Sequence, residues 1–148
     1  MGDRIYRKPP QNTSRPLAKS AKRIFIWDGD SLSSSLKEAA VDHEPVLLDF
    51  GASWCPGCVQ LDQAFQAPQV QAMVRSLHLV RVDIGTESAS ANFDVAAAYG
   101  LDLNKTGIPG LVLLSPLGKA EATTNDGLFD NALPNTPSEI IGFLKPHL

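Results

Sequence analysis

Cysteine is scarce in this chain: two residues among 148, both in one Cys55-x-x-Cys58 unit. Two thiols cannot staple a small disulfide scaffold, so they leave a redox pair or half of a metal site. Long apolar runs are also missing. No stretch approaches the roughly 20 apolar residues of a membrane-spanning helix, so no transmembrane segment is expected. No apolar segment follows the early basic residues, so no secretory signal is read there. Aromatic content is low at 7%. Without the interleaving of aromatic and basic residues that base stacking needs, no nucleic-acid partner is expected.

What is present is unevenly charged. Up to Arg23 there are seven basic residues and one acid, a balance of +6, whereas Ile24 onward holds 6 basic and 15 acidic residues, a balance of −9. Pro9, Pro10, Gln11, Asn12, Thr13, Ser14 and Pro16 have the composition of a disordered segment. Residues 1–23 are therefore read as a flexible basic leader. It serves as a solvated tether or, alternatively, as an arm for anionic surfaces. Residues 24–148 are read as one domain, whose 43% hydrophobic content across the chain suffices for a proper core.

The chain is organised around Val46 to Cys58. Val46, Leu47, Leu48 and Phe50, with Asp49 inside the run, read as a buried strand. Gly51, Ala52 and Ser53 then lead into a helix that Pro56 can open, because the first helical position needs no N–H. Cysteines three apart on the first turn face one side, so their sulfurs can meet. At a helix N-terminus, free N–H groups and the dipole favour an anion, which lowers a thiol pKa and makes Cys55 the expected nucleophile. Cys58, one turn further in, is the expected resolving thiol. A metal half-site would need two more ligands, and none of His43, His78 or His147 has ligand spacing to the pair, so no metal ligand is assigned. Asp49 in an apolar strand is costly unless it has a partner or a task, and burial should raise its pKa. The alternative is a strand-end acid that reaches solvent.

The segment Asp49-Phe50-Gly51-Ala52-Ser53-Trp54-Cys55-Pro56-Gly57-Cys58 resembles the active-site segment of the thioredoxin superfamily. A second match is Gly107-Ile108-Pro109 followed by Leu111 to Leu114. The likeness runs from about Ile24 onward and is closest to bacterial extracytoplasmic thioredoxin-like proteins. It implies an α/β fold, a thioredoxin-like three-layer sandwich with a mixed central β-sheet flanked by helices. It implies that Asp49 relays a proton for Cys58, that the Ile108–Pro109 bond is cis, and that Trp54, Pro56, Gly57, Ile108 and Pro109 line the substrate surface. Read without the family, Trp54 is equally a packing residue, and Gly107 to Gly110 merely a turn. Two departures stand out. Leu79 occupies the position where thioredoxins often carry a lysine near the acid. Gly110 replaces the usual threonine, which should leave the groove more open.

Local patterns supply the remaining elements. Ile24 to Trp27 reads as a short strand, stopped by the turn cluster Asp28-Gly29-Asp30. A helix capped by Asp30 or Ser31 carries Leu32, Leu36, Ala39 and Ala40, and Pro45 forces its end. The helix from Pro56 through Phe65 should break at Pro68, with a second piece through Val74. Leu77 to Ile84 has the β-branched content of a central strand, in which His78 and Arg81 are read as solvated or edge positions. Gly85 to Asn92 reads as a loop, and Phe93 to Tyr99 as a helix ended by Gly100, with Tyr99 in the core. Asp83 to Pro109 is about ten residues longer than in small thioredoxins, extra length placed near the substrate face. Leu111 to Leu114 and Lys119 to Thr124 form a hairpin around the turn Ser115 to Gly118. A loop runs from Asn125 to Asn135. Thr136 and Glu139 make a capping box for a helix that Pro146 ends.

The expected function is protein thiol–disulfide exchange in a reducing or exchange role, since Gly57 offers no imidazole to steady the thiolate. Expected partners are protein disulfides or dithiols and a redox protein that recycles the pair. No organic cofactor is implied, a monomer is expected, and the periplasm is favoured over the cytoplasm. The competing reading is a metallochaperone or assembly factor that holds a soft metal such as Cu(I) on the same cysteines.

Overall fold

Alternating apolar runs and amphipathic stretches build a five-stranded sheet with helices on both faces. The computed structural model describes residues 24–26, 29–86, 88–125 and 136–148. The leader, Trp27, Asp28 and most of the loop before Thr136 lie outside them. In chain order the elements are β1 (Ile24–Ile26), α1 (Gly29–Asp42), β2 (Val46–Gly51), α2 (Pro56–Phe65), α3 (Pro68–Val74), β3 (His78–Asp83), α4 (Phe93–Ala98), α5 (Leu103–Thr106), β4 (Gly110–Leu114), β5 (Ala120–Thr123) and α6 (Pro137–Leu144). The sheet order is β1-β3-β2-β4-β5; β1, β3 and β2 run parallel, and β4 and β5 are antiparallel to their neighbours.

Alternation along β2 divides the core. Leu48 and Phe50 join Val80, Val82, Val112 and Leu114 on one face, under Leu32 and Ala39 of α1 and Ala96 of α4. Leu47 joins Leu79, Leu111 and Leu113 on the other, under Leu61 and Phe65 of α2, Val70 and Val74 of α3, and Ile140 and Leu144 of α6. Because β2 lies between β3 and β4 with both faces covered, all six of its residues are buried. The strand therefore ends against α2 with its last residues held rigidly.

Several local expectations shift. α1 already includes Gly29 and Asp30, which sequence alone placed in a turn. Ala40 is exposed, at the margin of the face formed by Leu32, Leu36 and Ala39. α5 was not anticipated. Asp102 caps it by accepting the Asn104 N–H at 3.1 Å, a cap that the Asp-x-Asn sequence does carry. Pro146 does not end α6 directly, since a 3₁₀ turn (Lys145–His147) follows and accommodates it. The Thr136–Glu139 capping box is present in both directions. His78 and Arg81 are not edge positions: they are 3% and 8% exposed. β3 is an interior strand between β1 and β2, so its polar side chains are enclosed and must find partners within the protein.

Candidate active site

Cys55 caps α2 in an extended conformation, and its Sγ accepts the Cys58 N–H at 3.2 Å. Its own N–H donates to the Ala52 carbonyl at 3.3 Å, which closes the turn between β2 and α2. Pro56 occupies the first turn and is exposed, while Gly57 is buried. Both cysteines are free thiols and both are buried, Cys55 completely. A nucleophile that meets a substrate disulfide needs an accessible sulfur. Instead the Ile108 carbonyl oxygen lies 4.0 Å from Cys55 Sγ, so the loop before β4 closes over it.

Burial pushes the Cys58 thiol well above the ordinary range, and its hydrogen bond with Cys55 acts in the same direction. The charges of Cys55 and Asp49 add to the rise, while the Ala52 backbone opposes it. Asp49 is 3% exposed, two residues before Gly51 on the same strand face. A Cβ at Gly51 would sit 2.9 Å from Cys58 Sγ and 4.0 Å from Asp49 Oδ1. Glycine therefore keeps open the space shared by the inner thiol and the carboxyl.

The cation that Leu79 fails to supply has a counterpart two residues on. Asp49 is in register with Arg81 of β3, so both side chains leave the sheet on the same face. Arg81 in turn reaches Asp62 of α2, with Nη1 2.5 Å from Oδ2. Asp62 follows Cys58 by one helical turn, so the thiol, two carboxylates and a guanidinium gather between β2, β3 and α2. Sequence reasoning missed Arg81 and Asp62. The i, i+4 spacing of Cys58 and Asp62 was visible, but the strand register that brings Arg81 beside Asp49 was not.

Trp54 is 41% exposed, and its Nε1 donates to the Gly85 carbonyl at 2.8 Å. That bond ties the turn before α2 to the loop after β3, where Gly85 also pairs with Ser90. The start of the long connection from Asp83 to Pro109 thus sits beside Trp54. The Ile108–Pro109 peptide is cis, and both residues are buried. Gly110 does not widen the groove as expected. A Cβ there would meet Leu101 Cδ2 at 2.9 Å and Leu103 Cδ2 at 3.1 Å, because side chains at and just before α5 fill the space.

A family model described as thioredoxin-like matches residues 27–116. Over 88 residues the chain is 36% identical to thiol:disulfide interchange protein DsbD 1 of Pseudomonas aeruginosa, covering 59% of this chain and 14% of that one. The chain thus spans about a seventh of that relative's length. A disulphide isomerase from Xylella fastidiosa superposes with a TM-score of 0.69 at 28% identity, over 82% of this chain and 95% of that one. The reduced C-terminal domain of DsbD from Neisseria meningitidis gives 0.53 at 25% identity, over 67% and 84%.

Proposed function

The chain belongs to the thioredoxin-like family, and from that premise we propose that it exchanges disulfides with partner proteins through Cys55 and Cys58. The observation that carries this reading is the pairing of the Cys55 sulfur with the Cys58 N–H at a helix start, across from the Ile108 carbonyl. An anionic Cys55 sulfur is met there by an N–H group and the positive end of the helix dipole. It attacks one sulfur of a substrate disulfide, whose other sulfur leaves as a thiolate. Cys58 then gives its proton to Asp49 across the space kept by Gly51 and attacks Cys55. A Cys55–Cys58 disulfide forms, the second substrate thiolate departs, and two electrons have passed to the substrate. A partner dithiol returns them.

Trp54, Pro56, Gly57, Ile108 and Pro109 form the surface on which a substrate segment rests in this reading. The complete burial of Cys55 requires that surface to part when substrate arrives. We read the direction as reducing or exchange and the location as periplasmic, with the cytoplasm as the alternative that fractionation decides. No described helix is long and apolar enough to cross a membrane.

Soft-metal capture on the same pair would need both sulfurs ionised, which the raised pKa of Cys58 opposes. Insulin reduction beside a Cu(I) titration tests the choice. Turnover lost in Cys55→Ala supports exchange; stoichiometric metal binding without turnover overturns it. Trapping mixed disulfides with Cys58→Ala identifies the substrates.

A further inference from the structure

At the opposite end of the sheet, we propose that Asp42, Glu44 and His78 form a binding site for a divalent metal of the zinc class. His78 opens β3 and is 3% exposed, yet carboxylates face both of its ring nitrogens. Nε2 lies 2.9 Å from Asp42 Oδ2 and 3.6 Å from Glu44 Oε1, and Nδ1 lies 4.0 Å from Glu38 Oε1. The three ligand atoms offered by Asp42, Glu44 and His78 are within 4.8 Å of one another. Metal–ligand bonds near 2 Å in a tetrahedron put neighbouring ligand atoms about 3.3 Å apart, between the two Nε2 distances.

The surroundings suit an ion on Nε2. The second oxygen of Asp42 accepts the Glu44 N–H at 3.1 Å, which leaves Oδ2 turned to the imidazole. Glu38 Oε1 lies 4.0 Å from Nδ1, beyond direct hydrogen-bond reach, and adds a negative charge on that side of the ring. A divalent ion with two carboxylates and one neutral imidazole is charge-balanced. Binding displaces any proton on Nε2 to solvent. Asp42 and Glu44 are 39% and 20% exposed, so an ion can enter, and water completes its fourth position. The set mixes nitrogen and oxygen donors, which favours zinc over the all-oxygen shells of magnesium and calcium. Sequence reasoning could not see it, because β3 meets the end of α1 only in the folded sheet. Once bound, the ion joins the end of α1 to the start of β3.

The test uses the full chain with Cys55→Ser and Cys58→Ser, so that thiols cannot capture the metal. Calorimetric titration with Zn2+ should show one equivalent per chain, and Tm should rise with added zinc. Co2+ in its place should give the visible bands of a tetrahedral site. Binding should be lost in Asp42→Asn/Glu44→Gln, whose substitutions lie at the partly exposed end of α1 and just after it. Glu38→Gln should weaken it only about two- to fivefold, as loss of an exposed nearby charge does. His78→Gln, a buried change, is read only if its circular dichroism shows a folded chain. No heat at millimolar Zn2+, or unchanged affinity in the Asp42/Glu44 double variant, overturns the proposal.

Discussion

The two ends of β3 enclose polar side chains in different ways. At its start, His78 is surrounded by carboxylates from α1 and the turn after it, with Asp42 Oδ2 close enough to bond Nε2. Further along, Arg81 lies in register with Asp49 and bonds to Asp62, while the neighbouring Cys58 thiol is enclosed with its ionised form disfavoured. One end sets carboxylates around its buried imidazole. The other leaves open, where Gly51 lacks a Cβ, a space bordered by a thiol and a carboxyl. Burial of a polar group thus takes two forms along one strand: carboxylates gathered around an imidazole at its start, and an open space beside a thiol further along.

The most severe break is Cys55→Ala, which should reduce insulin turnover to background while leaving the circular dichroism of the fold intact. Asp49→Asn should next slow release of the mixed disulfide near neutral pH, with partial recovery as rising pH lets solvent take the Cys58 proton. Gly51→Ala places a methyl 2.9 Å from Cys58 Sγ and should cost about 1–3 kcal/mol in urea unfolding. Arg81→Met removes a charge-assisted bond and should cost roughly 2 kcal/mol, which Arg81→Lys should partly restore. The sharpest test of the Cys58 environment is pH. Its folded pKa lies above the ordinary thiol value of 9.0, so the unfolded chain ionises first. The reduced protein should keep its full stability below about pH 9 and lose it progressively above, more steeply than Cys58→Ala does. The smallest effect is expected for Trp54→Phe, which loses the bond to Gly85 for about 1 kcal/mol and should speed alkylation of Cys55.

Much of this was legible beforehand because its causes are local. Apolar alternation and prolines at 56, 68 and 137 placed β2, α2, α3 and α6 within a residue or two. The Cys-x-x-Cys unit and the buried acid stood out by composition. What escaped notice depended on neighbours distant in sequence. Arg81 and His78 alternate with apolar residues just as solvated side chains do, and only an interior position for β3 encloses them. Gly110 suggested an open groove until Leu101 and Leu103 were found against it.

From its residues alone, the chain determined where strands and helices begin and that Cys55 stands at the start of α2 with Cys58 one turn inside, since capping, periodicity and proline sterics act within a few residues. Only the tertiary structure decided that Asp49 faces Arg81, that the Ile108 loop covers Cys55, and that three carboxylates converge on His78. Those outcomes follow from strand order and register, which the whole core sets by packing both faces of the sheet at once.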